Sequence, residues 1–231
     1  MYAWDIPIYP SAMVGRLVGL SAGRVRRWLQ GYDYSYSAGT EGELRSGHKE
    51  PVIKRTQAAD PSYASFLDLI DLLFVKRFLD HGVSLQRIRK ALNEAEEFLG
   101  GKHFAQQKFF TDGKNIYFQV PHNADALLEL LSGGQWVIAP FIVELSHQIA
   151  FDVPSGYARR WYPLGRKGLI VLDPSISFGK PTLVSRGIAT ANIYDYYLGE
   201  EENLAPVCSW MNLTKKEVAA AVAYERQLAA A

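Results

Sequence analysis

The chain has 231 residues, 48% hydrophobic and 21% charged, enough apolar material for one large domain or two to three small ones, so disorder is not the expectation. A net charge of +1 and a single cysteine, Cys208, argue against a general polyanion binder and exclude an intramolecular disulfide or a cysteine-clustered zinc site. The opening MYAWDIPIYP lacks the basic start and apolar run of a secretory signal, and the most apolar stretch, 64–79, carries Asp68, Asp71, Lys76 and Arg77; the expectation is a cytoplasmic protein with no membrane partner.

In chain order, 11–18 predicts a short helix with Val14, Leu17 and Val18 on one face and Pro10 at its start, where a missing amide donor costs nothing. Gly19-Leu20-Ser21 breaks it: glycine suits a tight turn, Leu20 can plug the angle between two helices, and Ser21 can cap the next. That helix, 22–30, turns Ala22, Val25, Trp28 and Leu29 inward and leaves Gly23, Arg24, Arg26, Arg27 and Gln30 outside.

Tyr32, Tyr34 and Tyr36 alternate as in a strand, 38–48 looks like a loop, and Pro51-Val-Ile-Lys-Arg-Thr56 looks like the returning strand of a wing. Helices are predicted over 64–81 and 84–99, joined at Gly82, with Arg87, Arg89 and Lys90 on an exposed face. The first is apolar around most of its circumference, so it should lie between the head and another helix or a second subunit. After Gly100-Gly101 the pattern is mixed: an Asp112-Gly113 turn, a small hairpin near 115–120, short strands at 136–138 and 169–172, and a helix at 141–148. Asp173-Pro174 opens a final unit with helices over 190–198, 204–211 and 215–228, the last behind a Thr214/Glu217 capping box. The fold class expected is mostly α with small β elements: a winged helix-turn-helix domain over 1–101, a mixed α/β segment over 102–172, and a small helical, helix-turn-helix-like domain over 173–231.

Charge is unevenly placed. Residues 1–57 hold eight Lys/Arg against five Asp/Glu, a net of +3, while 173–231 hold five against seven, a net of −2. One end is thus suited to phosphate and the other to a different partner. A helix presenting Ser21, Gly23, Arg24, Arg26, Arg27 and Gln30 suits a major groove about 12 Å wide, since guanidinium forks grip guanine edges or phosphates. Lys49, Lys54 and Arg55 on the wing would hold the flanking backbone. His48, His81, His103, His122 and His147 are scattered without ligand spacing, and GxSxG, GxGxxG and GxxxxGK[ST] are absent. No catalytic residue, metal site or cofactor is expected, and the chain reads as a non-enzyme. The run Glu200, Glu201, Glu202 reads as a solvated loop or as a surface for a basic partner, and Cys208 as a small buried hydrophobe.

Tyr9 to Gln30, with the wing and the helices up to Leu99, resembles the MerR-like helix-turn-helix head. From Asp173, DPSISFGKPTLVSRGI followed by NLTKKEVAAAVAYE resembles a small helical domain of prokaryotic antitoxins encoded beside PIN-type ribonucleases. Together they resemble the VapB-class antitoxins, in their larger mycobacterial-type subgroup. Gly179, Lys180, Pro181, Arg186, Leu213, Thr214, Glu217, Val218 and Tyr224 follow that domain's pattern; Ser185 stands where threonine is usual, and Gly187 is inserted before Ile188.

The resemblance implies a homodimeric autorepressor that binds its own operator as double-stranded DNA and neutralises a PIN-type ribonuclease toxin. Lys180, Arg186, Glu200, Glu201 and Glu202 are its candidate toxin contacts. The alternative is a ligand-responsive MerR-like regulator without a toxin, its sensor pocket lined by Trp136, Tyr157, Trp161 and Tyr162.

Overall fold

The structure is a computed structural model that describes residues 3–38, 43–55, 60, 62–99, 105, 144, 145 and 147–230. The expected hairpin at 115–120 and strand at 136–138 lie outside the described residues. Among the described residues, helices joined by four two-stranded antiparallel ladders make a mixed α/β fold.

Behind a short 3-10 turn at Ala3–Asp5, β1 (Tyr9–Pro10) leads directly into α1 (Ser11–Val18). The amide and hydroxyl of Ser11 both donate to the Ser62 carbonyl, at 2.7 and 3.0 Å. This holds β1 beside β4 (Tyr63–Ala64), with Tyr9 opposite Ala64. Gly19 ends α1 in the left-handed conformation, φ 76°, and Ser21 caps α2 (Ala22–Gln30) by accepting the Arg24 amide at 3.2 Å.

Beyond α2, the strands β2 (Tyr32–Ala38) and β3 (Glu43–Lys49) pair from Tyr32 opposite Lys49 to Ala38 opposite Glu43. The returning strand is therefore 43–49, and the expectation that it is Pro51–Thr56 is corrected. Val52 and Ile53 are adjacent and both buried, which alternation in a strand facing water cannot provide. Their amides instead donate to the Trp28 carbonyl, at 2.7 and 3.1 Å, and seal the end of α2.

Helix α3 (Phe66–Asp80) starts at a Ser65/Asp68 capping box and is buried almost all round. Its cover comes from within the chain. The same core contains Val14, Val25, Trp28 and Leu29 of the head, Ile88 of α4 (Leu85–Leu99), and Leu145, Ile149, Ala158, Trp161 and Leu172 beyond it. The buried carboxylate of Asp71 accepts the Ala105 amide at 3.0 Å, and the Ala105 carbonyl accepts the Ala158 amide at 2.7 Å, which ties α3 to the strand that begins at Ala158. Thus the apolar core runs across the boundary expected at 101/102. On α4, Arg87 and Lys90 are exposed and Arg89 is half-buried.

The strands β5 (Ile149–Phe151) and β6 (Ala158–Trp161) form one ladder, and β7 (Ile170–Val171) and β8 (Thr182–Leu183) another. Paired bonds between Trp161 and Leu172, at 3.0 and 2.8 Å, join them. Helices α5 (Thr190–Gly199), α6 (Leu204–Met211) and α7 (Lys215–Ala229) enclose a second core around Ile193, Val207, Leu213, Val218 and Val222, with half-buried Cys208 against it. The capping box at Thr214 and Glu217 is present.

This C-terminal unit packs on the head. Leu228 reaches the first core. The ring of Tyr9 lies against Gly179, where a Cβ would sit 2.1 Å from the tyrosine hydroxyl. Among the described residues, no helix is long and apolar enough to cross a membrane.

Candidate nucleic-acid interface

Helix α2 buries Val25, Trp28 and Leu29 and exposes Ser21, Arg24, Arg26, Arg27 and Gln30. Gly23 is half-buried, and a Cβ there would meet nothing within 4 Å, so the helix is bare at its first turn. The tight approach of α1 to α2 depends on Gly15: a Cβ there would lie 2.4 Å from the Leu20 carbonyl oxygen.

The hairpin extends this cationic face. Residues opposite one another in an antiparallel pair point to the same side, so Tyr32, Tyr34 and Tyr36 share a face with Lys49, Gly47 and Arg45. All three tyrosines are exposed, and successive ring centroids are 6.2 and 5.8 Å apart. The Arg27 guanidinium lies 5.5 Å over Tyr32, and the Lys49 ammonium 5.7 Å over Tyr34, both within cation–π range. Gly47 leaves the space that Tyr34 fills, a Cβ there falling 2.7 Å from its ring. The opposite face carries His48, whose Nδ1 lies 2.6 Å from the Asp33 carboxylate.

Alternation alone marks Tyr32, Tyr34 and Tyr36 as a strand; their continuity with Arg27 emerges only in the folded chain. The available signal was the spacing of the tyrosines against Arg45 and Lys49 in one hairpin register.

Two expected wing cations fare differently. Lys54 is exposed. Arg55 is not placed to meet phosphate: its guanidinium donates to Asp68 at 3.1 and 3.0 Å and to the Tyr63 carbonyl at 2.6 Å, with the pair's side chains 11% and 5% exposed. It anchors the chain before α3 instead.

The C-terminal candidates fall at three separate places in the chain. Lys180 and Arg186 are exposed on either side of β8, and Lys180 shares a cavity of about 220 Å3 with Arg16 and Glu225. Glu200 is half-buried at the end of α5. Glu201 and Glu202 follow with φ of 51° and 63°, and Glu202 accepts from Arg226 at 2.7 Å.

Near β8, Asp173 is buried and accepts from Ser175 and Arg160. Burial alone would raise its pKa, but those hydrogen bonds outweigh it and hold the carboxyl below its usual range. Of the aromatics weighed for a sensor pocket, Trp161 is buried in the first core, Tyr162 is half-buried under the Arg166 guanidinium, and Trp136 lies outside the described residues. Among the described residues, no group of three His, Cys, Asp or Glu is placed to hold a metal ion.

The overall architecture is similar to the X-ray crystal structure of Rv2018 from Mycobacterium tuberculosis, with a TM-score of 0.66 and 20% identity, covering 95% of this chain and 99% of that one. This likeness is one of fold. In sequence, the chain is 22% identical over 201 residues, 82% of each protein, to a Mycobacterium tuberculosis protein named "Putative antitoxin VapB45". A 73-residue stretch, 32% of this chain and 31% of the relative, is 38% identical to the "Uncharacterized HTH-type transcriptional regulator Rv1830" of the same organism. No protein-family profile matches the chain.

Proposed function

We propose that this chain is a cytoplasmic, non-enzymatic transcription regulator and antitoxin. It binds double-stranded DNA of its own operator as a homodimer and neutralises a PIN-type ribonuclease. In this reading, 1–101 is a winged helix-turn-helix head, 102–172 a connecting segment and 173–231 the antitoxin-associated unit.

The observation that carries the DNA-binding part is the exposed row on α2, Arg24, Arg26 and Gln30, continued by Arg27 onto the tyrosine face of the hairpin. Helix α2 enters the major groove and offers Arg24, Arg26 and Gln30 to base edges, with Ser21 and Gly23 close to the backbone. Arg27, leaning on Tyr32, belongs with Lys49, Lys54 and the tyrosines in gripping the flanking phosphates, a grip that is not base-specific. The antitoxin part is supported by the name of the relative that matches over 82% of both chains. Lys180, Arg186 and the Glu200–Glu202 turn are its candidate toxin contacts.

The test is fluorescence anisotropy on a duplex from the chain's own promoter and on an unrelated duplex, across a salt series. Arg24→Ala and Arg26→Ala should each cost about 1–3 kcal/mol on the promoter and narrow its margin over unrelated DNA. Lys49→Ala should weaken both duplexes alike and reduce the salt slope by about one. Unchanged promoter binding by the Arg24/Arg26 double variant rejects α2 as the reader.

A further inference from the structure

We propose that the cavity between α1 and the C-terminal unit is an effector site for a small monocarboxylate anion with an apolar body. The binding part of this inference is independent of the DNA and toxin readings; the effector part rests on the DNA-binding reading.

The cavity has a volume of about 220 Å3 and takes its walls from both units. Met13, Arg16 and Leu17 come from α1, Lys180 from the chain just before β8, and Glu225 and Leu228 from α7. An apolar protein cavity of about 150 Å3 holds benzene. The space here is larger, so it takes a ring or short chain of that size together with a carboxylate.

The walls divide by chemistry. Leu17 belongs to the first core, and Met13 and Leu228 are half-buried against it, which gives the cavity an apolar floor. The charges above that floor do not cancel, since Arg16 and Lys180 face the single carboxylate of Glu225. Among the described residues neither cation forms an ion pair with it, and Glu225 accepts instead from the Thr190 hydroxyl. A net positive cavity over an apolar floor is complementary to an amphipathic anion. The guanidinium fork of Arg16 and the ammonium of Lys180 receive the carboxylate oxygens, and the apolar body covers Met13 and Leu228. A cationic ligand would meet two like charges, and inorganic phosphate would leave the floor wet.

The position of the cavity makes it an effector site. Arg16 follows Gly15, the residue at which α1 meets the Leu20 backbone and then α2. A ligand held between Arg16 and Lys180 ties the first helix of the reading pair to the C-terminal unit. Linkage makes the effect reciprocal, so promoter DNA changes the ligand's affinity by the factor by which the ligand changes promoter affinity.

Benzoate and hexanoate are the probes, with benzyl alcohol and hexanol as their neutral counterparts. Calorimetric titration of the full chain should give a Kd of about 1 mM or tighter for at least one carboxylate. Its neutral counterpart should bind about tenfold more weakly or worse, the loss expected when charge-assisted hydrogen bonds are removed. Arg16→Gln and Lys180→Gln, at two exposed positions, should each weaken that carboxylate by about tenfold. Ala191→Leu, which enlarges the cavity wall supplied by α5, should abolish binding. At saturating carboxylate, promoter affinity should change by about fivefold or more.

Failure of both carboxylates to bind overturns the site, as does binding that the neutral counterparts match or that survives all three substitutions. Carboxylate binding that leaves promoter affinity unchanged overturns the effector role. If unaltered chain binds the carboxylate but not the promoter, the DNA reading itself fails and takes the effector role with it, while the carboxylate site stands.

Discussion

The Leu20 carbonyl oxygen lies 2.4 Å from where a Cβ on Gly15 would stand, and the Leu20 amide donates to the Gly15 carbonyl at 2.8 Å. Backbone meets backbone at the crossing of α1 and α2, so no side-chain rotamer can relieve an added methyl. Gly15→Ala should therefore destabilise the protein by about 1–3 kcal/mol and weaken DNA binding through a displaced α2. Gly23→Ala enters open space and should stabilise by up to about 1 kcal/mol through helix propensity. Urea denaturation of the two variants checks the contrast; equal effects would refute the account of the crossing.

Arg55 and Asp68 make the second contrast. Their buried ion pair also serves the capping box that starts α3, because Asp68 accepts the Ser65 amide at 2.9 Å. Removing one partner strands the other charge, so Arg55→Ala should cost about 3–5 kcal/mol of stability. Among molecules that remain folded, the salt slope of DNA binding should not change. A reduced slope at wild-type stability would return Arg55 to the phosphate-contact set.

How much was legible in the sequence follows from where the information sits. The bounds of α1, α2 and α6 could be read to the residue, because Pro10, Gly19, Ser21, Asn203 and Asn212 punctuate the chain by local chemistry. The outward set of α2 followed from helical period alone. What escaped depends on tertiary partners. Glu43–Lys49 faces water on both sides and so lacks the apolar alternation that marks a strand, while Val52-Ile53 resembles a strand but is buried by docking on Trp28. Arg55 has the sequence surroundings of a surface cation, and only the fold brings Asp68 against it. The positive φ of Phe178, 54°, has no local signature, since phenylalanine does not favour it; the next residue, Gly179, lies against Tyr9, more than 160 residues away in sequence.

Glu217 predicts a pH dependence. The Ser185 hydroxyl, then the Thr214 amide and hydroxyl, donate to its carboxylate and lower its pKa from 4.5 to about 2. A carboxyl depressed on folding stabilises the native state above its unfolded pKa, and that contribution fades as the pH falls from about 4.5 through 2. Glu217→Gln should be less stable than wild type at pH 7, and the two should converge near pH 2. Urea midpoints at pH 7, 4 and 2 measure this; parallel curves would contradict it.

The joint between head and C-terminal unit gives the last prediction. Tyr9 is fully buried, and its hydroxyl has no hydrogen-bond partner among the described residues. Burial, with a smaller contribution from the Asp173 charge, raises its pKa and keeps it neutral. An unpaired buried hydroxyl costs about 1–3 kcal/mol, so Tyr9→Phe should be neutral or stabilising while leaving the ring against Phe66, 6.3 Å between centroids. Gly179→Ala should be strongly destabilising, both because its φ is 72° and because the new methyl would sit 2.1 Å from that hydroxyl. In the double variant the hydroxyl clash is gone but the ring carbon Cζ still lies 2.5 Å from the new methyl, so the two changes should couple favourably by only about 0.5 kcal/mol, the low end for residues in contact. A thermodynamic cycle from urea unfolding gives the coupling directly, and strict additivity would mean that the Tyr9 hydroxyl takes no part in the contact with Gly179.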